Sequence, residues 1–95
     1  MGRLTEDELI EIRRHLHQNP ELSTEERKTA DYIEERLRSF GISDVRRVGQ
    51  TGVVAVVEGG QEGPVLGWRA DIDALPILEQ NDVGYRSQND GVMHA

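Results

Sequence analysis

The sequence predicts an α/β chain: two N-terminal helices followed by strands of a mixed sheet, the opening part of a larger α/β domain. Three observations predict it. Two stretches with helical apolar spacing each begin at a capping box, Thr5 with Glu8 and Ser23 with Glu26. After Gly41 the period changes to β-branched runs bounded by glycines. A nearly wholly apolar stretch from Val65 to Ala70 reads as a central strand that needs cover on both faces, and two helices can cover only one.

The first helix is expected from Thr5 to about Gln18. Leu4 and Leu9 stand at the positions of a hydrophobic staple, and Leu9, Ile12 and Leu16 form an apolar stripe. Glu6 and Asp7 suit its positive end, and Arg13, Arg14, His15 and His17 its negative end. Asn19-Pro20 stops it. The second helix is expected from near Ser23, with Ala30, Ile33, Leu37 and Phe40 at helical spacing and Gly41 as its terminator. Val45 to Val48 is a short strand candidate. Gly52 to Val57 is a second, and the loop from Gly59 to Pro64 could join it to the strand at Val65 as a hairpin. From Glu79 onward turn residues dominate, until Val92-Met93-His94-Ala95 begins another apolar segment.

Composition excludes several classes of function. The chain has 95 residues, one small domain's worth, and a formal net charge of −7, with its Lys and Arg interleaved among acids. A nucleic-acid surface or an anionic membrane surface needs clustered cations instead. There is no cysteine, so neither disulfides nor thiolate metal sites can form within it. No apolar run approaches the ~18 residues of a membrane span. The stretch Met1 to Glu8 is polar and acidic and does not read as a signal peptide, which leaves the cytoplasm as the default location.

The residues with chemical potential sit at the end of the Val65–Ala70 run. Asp71 and Asp73 are spaced i, i+2, which in a strand places both carboxylates on one face. Open α/β sheets bind ligands beyond such strand ends. Carboxylates there can bind a metal or hold a ligating histidine in one tautomer, and an exposed Asp-x-Asp turn is the plain alternative. Arg69 reads as the structural ion-pair partner of this pair. His15 and His17, at i, i+2 on a helix, point to different faces and are no metal pair with each other. The helix C-terminus explains them. Glu21, Glu25 and Glu26 suit the start of the second helix. Glu79 reads either as a solvated loop acid or as a structural contact near the active-site edge, and His94 alone is noncommittal.

Taken in order, the segments Arg13-Arg14-His15-Leu16-His17-Gln18-Asn19-Pro20-Glu21-Leu22-Ser23, Thr29-Ala30 with Ile33, Arg69-Ala70-Asp71-Ile72-Asp73-Ala74-Leu75-Pro76-Ile77, and Gly91-Val92-Met93-His94-Ala95 resemble the start of the M20 metallopeptidase family. More narrowly they resemble its amidohydrolase branch, the N-acyl-amino-acid, hippurate and auxin-conjugate hydrolases. The resemblance implies a parent several times longer, with an α/β/α zinc-peptidase-like catalytic domain and an inserted dimerisation domain. Residues 1–95 would be the N-terminal part of that catalytic domain. It further implies a dinuclear Zn or Mn site, a homodimeric or homotetrameric parent, and hydrolysis of the amide of a small N-acyl amino acid.

In this branch Met-His-Ala runs into Cys-Gly-His-Asp, whose Cys and His ligate metal, and the present chain ends at Ala95. None of the branch's metal ligands, nor its general-base Glu, is therefore expected in it. By the resemblance Asp71 and Asp73 are catalytic residues at the active-site edge that orient other groups and do not ligate metal. In the wider family the position of Asp71 is a ligating His and that of Asp73 the Asp that orients it. Gly84-Tyr85-Arg86, where the branch has Pro-Tyr-Ala, bears on substrate detail. The chain alone is expected to be inactive, and marginally stable or oligomeric because one sheet face is uncovered. The alternative is a stand-alone, non-catalytic binding or assembly domain.

Overall fold

A computed structural model describes residues 4–95. Met1 to Arg3, which open the polar N-terminal stretch, lie outside the described residues. The elements follow in the order α1 (Glu6–Gln18), α2 (Arg27–Ser39), β1 (Val45–Val48) and β2 (Gly52–Ala55). Two helices followed by strands is the expected order. Among the described residues the hydrogen-bonded sheet is an antiparallel pair, and parallel pairing is confined to one bridge, Leu22 with Ala74.

α1 begins as its sequence dictates. Thr5 is extended at the N-cap, and its Oγ1 accepts the Glu8 amide at 3.2 Å. At the other end the Asn19 backbone amide donates to the His15 and Leu16 carbonyls. Its side-chain amide donates to the His15 carbonyl at 2.8 Å. Pro20, fully buried, cannot continue the helix. Among the described residues none of those in α1 is buried, and Leu9 is 55% exposed.

α2 starts later than its capping box suggests. The expected start near Ser23 gives way to a turn closed by the Glu25 amide on the Leu22 carbonyl at 2.9 Å, with Thr24 at φ 70°. The helix then begins at Arg27. Glu21 takes the capping role from outside. Its Oε1 accepts the Thr29 amide at 2.6 Å and the Thr29 hydroxyl at 2.7 Å, and its Oε2 accepts the Lys28 amide at 3.3 Å. The reason is tertiary: Leu22 bridges Ala74, and this pairing draws residues 21–24 away from helical geometry. The far end is as expected. Gly41, at φ 89°, donates to the Arg38 carbonyl, and Ile42 donates to that of Leu37, a Schellman motif.

β1 and β2 form a hairpin with Val45 opposite Ala55 and Val48 opposite Gly52, and the Val56 amide extends the ladder to the Asp44 carbonyl at 2.9 Å. α2 packs on one face of it. Val45 and Ala30 are buried there. Arg47 reaches Asp31 at 2.7 Å and Glu34 at 3.2 Å, and Arg38 donates to the Val45 carbonyl at 2.8 Å. The other face is bare, with Val48 and Val54 exposed.

The expected strand from Val65 to Ala70 is not formed, nor is the hairpin through Gly59–Pro64. Val65, Leu66 and Trp68 are 96%, 91% and 96% exposed. A strand holds only where a neighbour takes its backbone groups and a layer takes its side chains, and among the described residues nothing covers this one.

Beyond it the chain returns to the α1–α2 connection. The Ala74 amide donates to the Glu21 carbonyl at 2.8 Å, and Leu75 and Met93 exchange two backbone bonds at 2.9 Å. The Gln88 amide reaches the Gln18 carbonyl at 2.9 Å, and the Asn89 side chain reaches that of Pro20 at 3.2 Å.

Candidate active-site edge

The connection Gln18–Leu22 is the scaffold of the site. Pro20 ends α1 and fixes an extended stretch whose carbonyls are free to accept. The 71–75 segment takes one side of it and the turn at 87–89 the other. A cleft of about 570 Å³ opens between the α1 stripe and these segments, bordered by Leu9, Leu16, His17, Asp71, Met93 and His94 among others.

Glu79 anchors one flank of the site. It is 2% exposed. Its Oε1 accepts the Ser87 amide at 2.6 Å. Both carboxylate oxygens lie within 3.1 Å of His17 Nε2, and the Asn81 amide donates to Oε2 at 3.2 Å. The Arg86 guanidinium donates to the Glu79 carbonyl at 2.6 Å. The Ser87 amide first, then His17 and Asn81, hold its carboxyl well below the ordinary range, at about 2, against the opposing effect of burial. An ionised carboxylate only accepts, so the proton facing it belongs on His17 Nε2.

The two aspartates are less sheltered. Asp71 borders the cleft and pairs with Arg69 at 3.3 Å, the structural pairing expected for Arg69, with side chains 72% and 90% exposed. Such a surface pair contributes little. Asp73, also exposed, borders a separate, smaller recess with Ser23, Glu26 and Asp71. Asp71 thus borders both hollows, and the two aspartates share the smaller one. His94 is in the cleft wall, its Nε2 at 3.3 Å from the Ile72 carbonyl and its ring 6.4 Å from that of His17.

The histidines do more than complement a helix end. His15 stacks on Tyr32 of α2 at 3.9 Å between ring centroids, and His17 is tied to Glu79 across 62 residues. Of the two readings of Glu79, the structural contact is the one formed. Residue spacing carries no sign of this pair. The one hint in the sequence is an acid followed by the turn at Val83–Arg86, after which the Ser87 amide is placed to cap a carboxylate.

Among the described residues no three His, Cys, Asp or Glu side chains gather as ligands, and the Nε2 atoms of His17 and His94 already face other partners. These residues do not by themselves compose a dinuclear site. Among the described residues no helix is long and apolar enough to cross a membrane.

No family model matches the chain. Individual proteins do. An N-acyl-L-amino acid amidohydrolase of Geobacillus stearothermophilus is 50% identical over 88 residues, 93% of this chain and 24% of that protein. An N-acetyl-L-cysteine deacetylase of Bacillus subtilis is 50% identical over 90 residues, 95% of this chain and 22% of the relative. Among solved structures, the Bacillus subtilis YXEP protein, a dinuclear metal-binding peptidase from the M20 family, superposes with a TM-score of 0.86 at 44% identity, covering 93% of this chain and 25% of its own. The chain thus spans about a quarter of the length of the proteins it matches. The resemblance carried by the motifs is borne out in sequence and in fold, and the helix–helix–hairpin order is that of the N-terminal part of such a peptidase domain.

Proposed function

We infer that the chain is the N-terminal part of the catalytic domain of an M20-type, metal-dependent amidohydrolase that cleaves the amide of N-acyl amino acids. The observation that carries this reading is 50% identity across nearly the whole chain with an N-acyl-L-amino acid amidohydrolase, on a backbone that superposes on an M20 peptidase. The metal ligands and the general base belong to the rest of the parent, and Zn or Mn is the metal pair proposed. The parent is proposed to assemble as a homodimer or homotetramer through an inserted domain, on the family resemblance.

Within this chain the proposal assigns Asp71 and Asp73 to the active-site edge. Both are exposed at the mouth of hollows, and neither is used up in internal packing. Their chemistry is orientation: an ionised carboxylate fixes a proton on a neighbouring imidazole or water. By itself the chain is proposed to be inactive.

Hydrolysis of a panel of N-acyl amino acids by the full-length parent, with and without chelator, tests the reading. Chelator-sensitive release of free amino acid is the expected result. Loss of an orienting carboxylate beside a metal site costs about 10–100-fold, so Asp73→Asn should lower kcat by that order with the fold intact. A parent that hydrolyses none of the panel with any divalent metal would instead favour the stand-alone binding domain, for which the exposed Val65–Trp68 strip is the supporting feature.

A further inference from the structure

We propose that Glu79 is a positioning residue for the proposed reaction: its buried carboxylate locks His17 and the Ser87 turn, and through them sets the segment that carries His94 against the Asp71–Leu75 wall. The proposal rests on the amidohydrolase reading for its catalytic consequence, and on geometry for everything else.

A carboxylate that is 2% exposed is an expensive way to fill space. An apolar side chain or an amide would pack as well without the desolvation of a charge. What the charge adds is directional. Each oxygen accepts two donors: Ser87 N at 2.6 Å and His17 Nε2 at 3.1 Å on Oε1, His17 Nε2 at 3.0 Å and Asn81 Nδ2 at 3.2 Å on Oε2. This acceptor-only site dictates which nitrogen of His17 bears the proton.

Two routes lead from it to the cleft. His17 is itself in the cleft wall, edge-on to Tyr85 and beside His94. Ser87, held by its amide, donates from Oγ to the Val92 carbonyl at 2.7 Å, one residue before the Leu75–Met93 bridge and two before His94. His94 in turn touches the Ile72 carbonyl, between the two aspartates. Glu79 thus sits behind the site, touches none of the groups proposed to act there, and fixes both walls.

The test has two arms. In the full-length parent, Glu79→Gln and His17→Gln are made singly and together, and kcat and KM are measured on folded protein with an N-acyl amino acid. The expected result is a fall in kcat of about 10–100-fold with a much smaller change in KM, and a double variant no worse than the worse single one. Unchanged kcat in folded Glu79→Gln, or strictly multiplicative effects, overturns the proposal.

The second arm is imidazole ¹⁵N NMR of the wild-type full-length parent. It stands even if Glu79→Gln fails to fold. Wild-type His17 should show an Nε2 proton that exchanges slowly with water, as one held by a carboxylate does; an Nε2 proton lost to fast exchange, or a neutral ring protonated on Nδ1 alone, overturns the proposal. A parent inactive on every substrate overturns the amidohydrolase reading, and with it the catalytic consequence, while the NMR arm still decides whether Glu79 locks His17.

Discussion

Two carboxylates hold this structure at single points, and each makes a measurable claim. Glu21 accepts two amides and a hydroxyl at the start of α2. Removing a cap costs about 0.5–2 kcal/mol, so Glu21→Ala should lower unfolding stability by ~1–2 kcal/mol in denaturant titration, whereas Ser23→Ala should change little. Glu79, held at about 2 against an ordinary value of 4.5, binds fewer protons folded than unfolded. The stability it lends is complete above pH 4.5 and is lost as the pH falls toward 2. The gap in denaturation midpoint between wild type and Glu79→Gln should therefore hold from neutrality to mildly acid pH and close below it. Thr24 occupies the left-handed region at φ 70°, where a β-branched residue is strained by about 1 kcal/mol. Thr24→Gly should relieve that and cost little. The sequence places Glu21 at the start of the second helix and offers a structural contact for Glu79, but the partners of Glu79 and the turn at Thr24 depend on residues 79 and 22 meeting groups elsewhere in the chain.

At the scale of elements, local signals were reliable where the deciding contacts are local. Thr5, Pro20 and Gly41 bound their helices through groups within five residues, and α1 and the C-terminus of α2 fall where periodicity puts them. The hairpin is similarly self-contained. A Cβ on Gly52 would stand 2.6 Å from the Val48 carbonyl oxygen, opposite it across the ladder. Gly52→Ala should therefore unzip the β1–β2 end and weaken amide protection at Val45–Ala55 in hydrogen exchange, while Gly59→Ala, with open space around it, should leave protection unchanged. The start of α2 and the run Val65–Ala70 departed from expectation for the opposite reason. A bridge to Ala74 overrode a capping box, and an apolar strand with no neighbour had nothing to pair with.

For the molecule as a whole, the balance of covered and bare apolar surface sets behaviour in solution. Trp68 is the sole tryptophan and is almost fully exposed, next to Val65 and Leu66. At low concentration its emission should be that of a hydrated indole, freely quenched by iodide. It should shift to the blue with rising concentration as chains associate. Leu66→Ser should suppress that shift while leaving stability within about 0.5 kcal/mol, as for other exposed positions. Asp71 and Asp73 stand out in the sequence by their spacing, whereas the pairing of Glu79 with His17 leaves no mark there, since the two lie 62 residues apart.

The clamped connection between α1 and α2 also bears on the order of events during synthesis. Gln18 and Pro20 find their partners at Gly84 and Asn89, 66 and 69 residues downstream. They leave the ribosome long before those partners exist. Closures of that span are the slow ones. The end of α1 is thus held by contacts that can form only after residues 84–89 have been made, and it is among the last parts of this segment to consolidate.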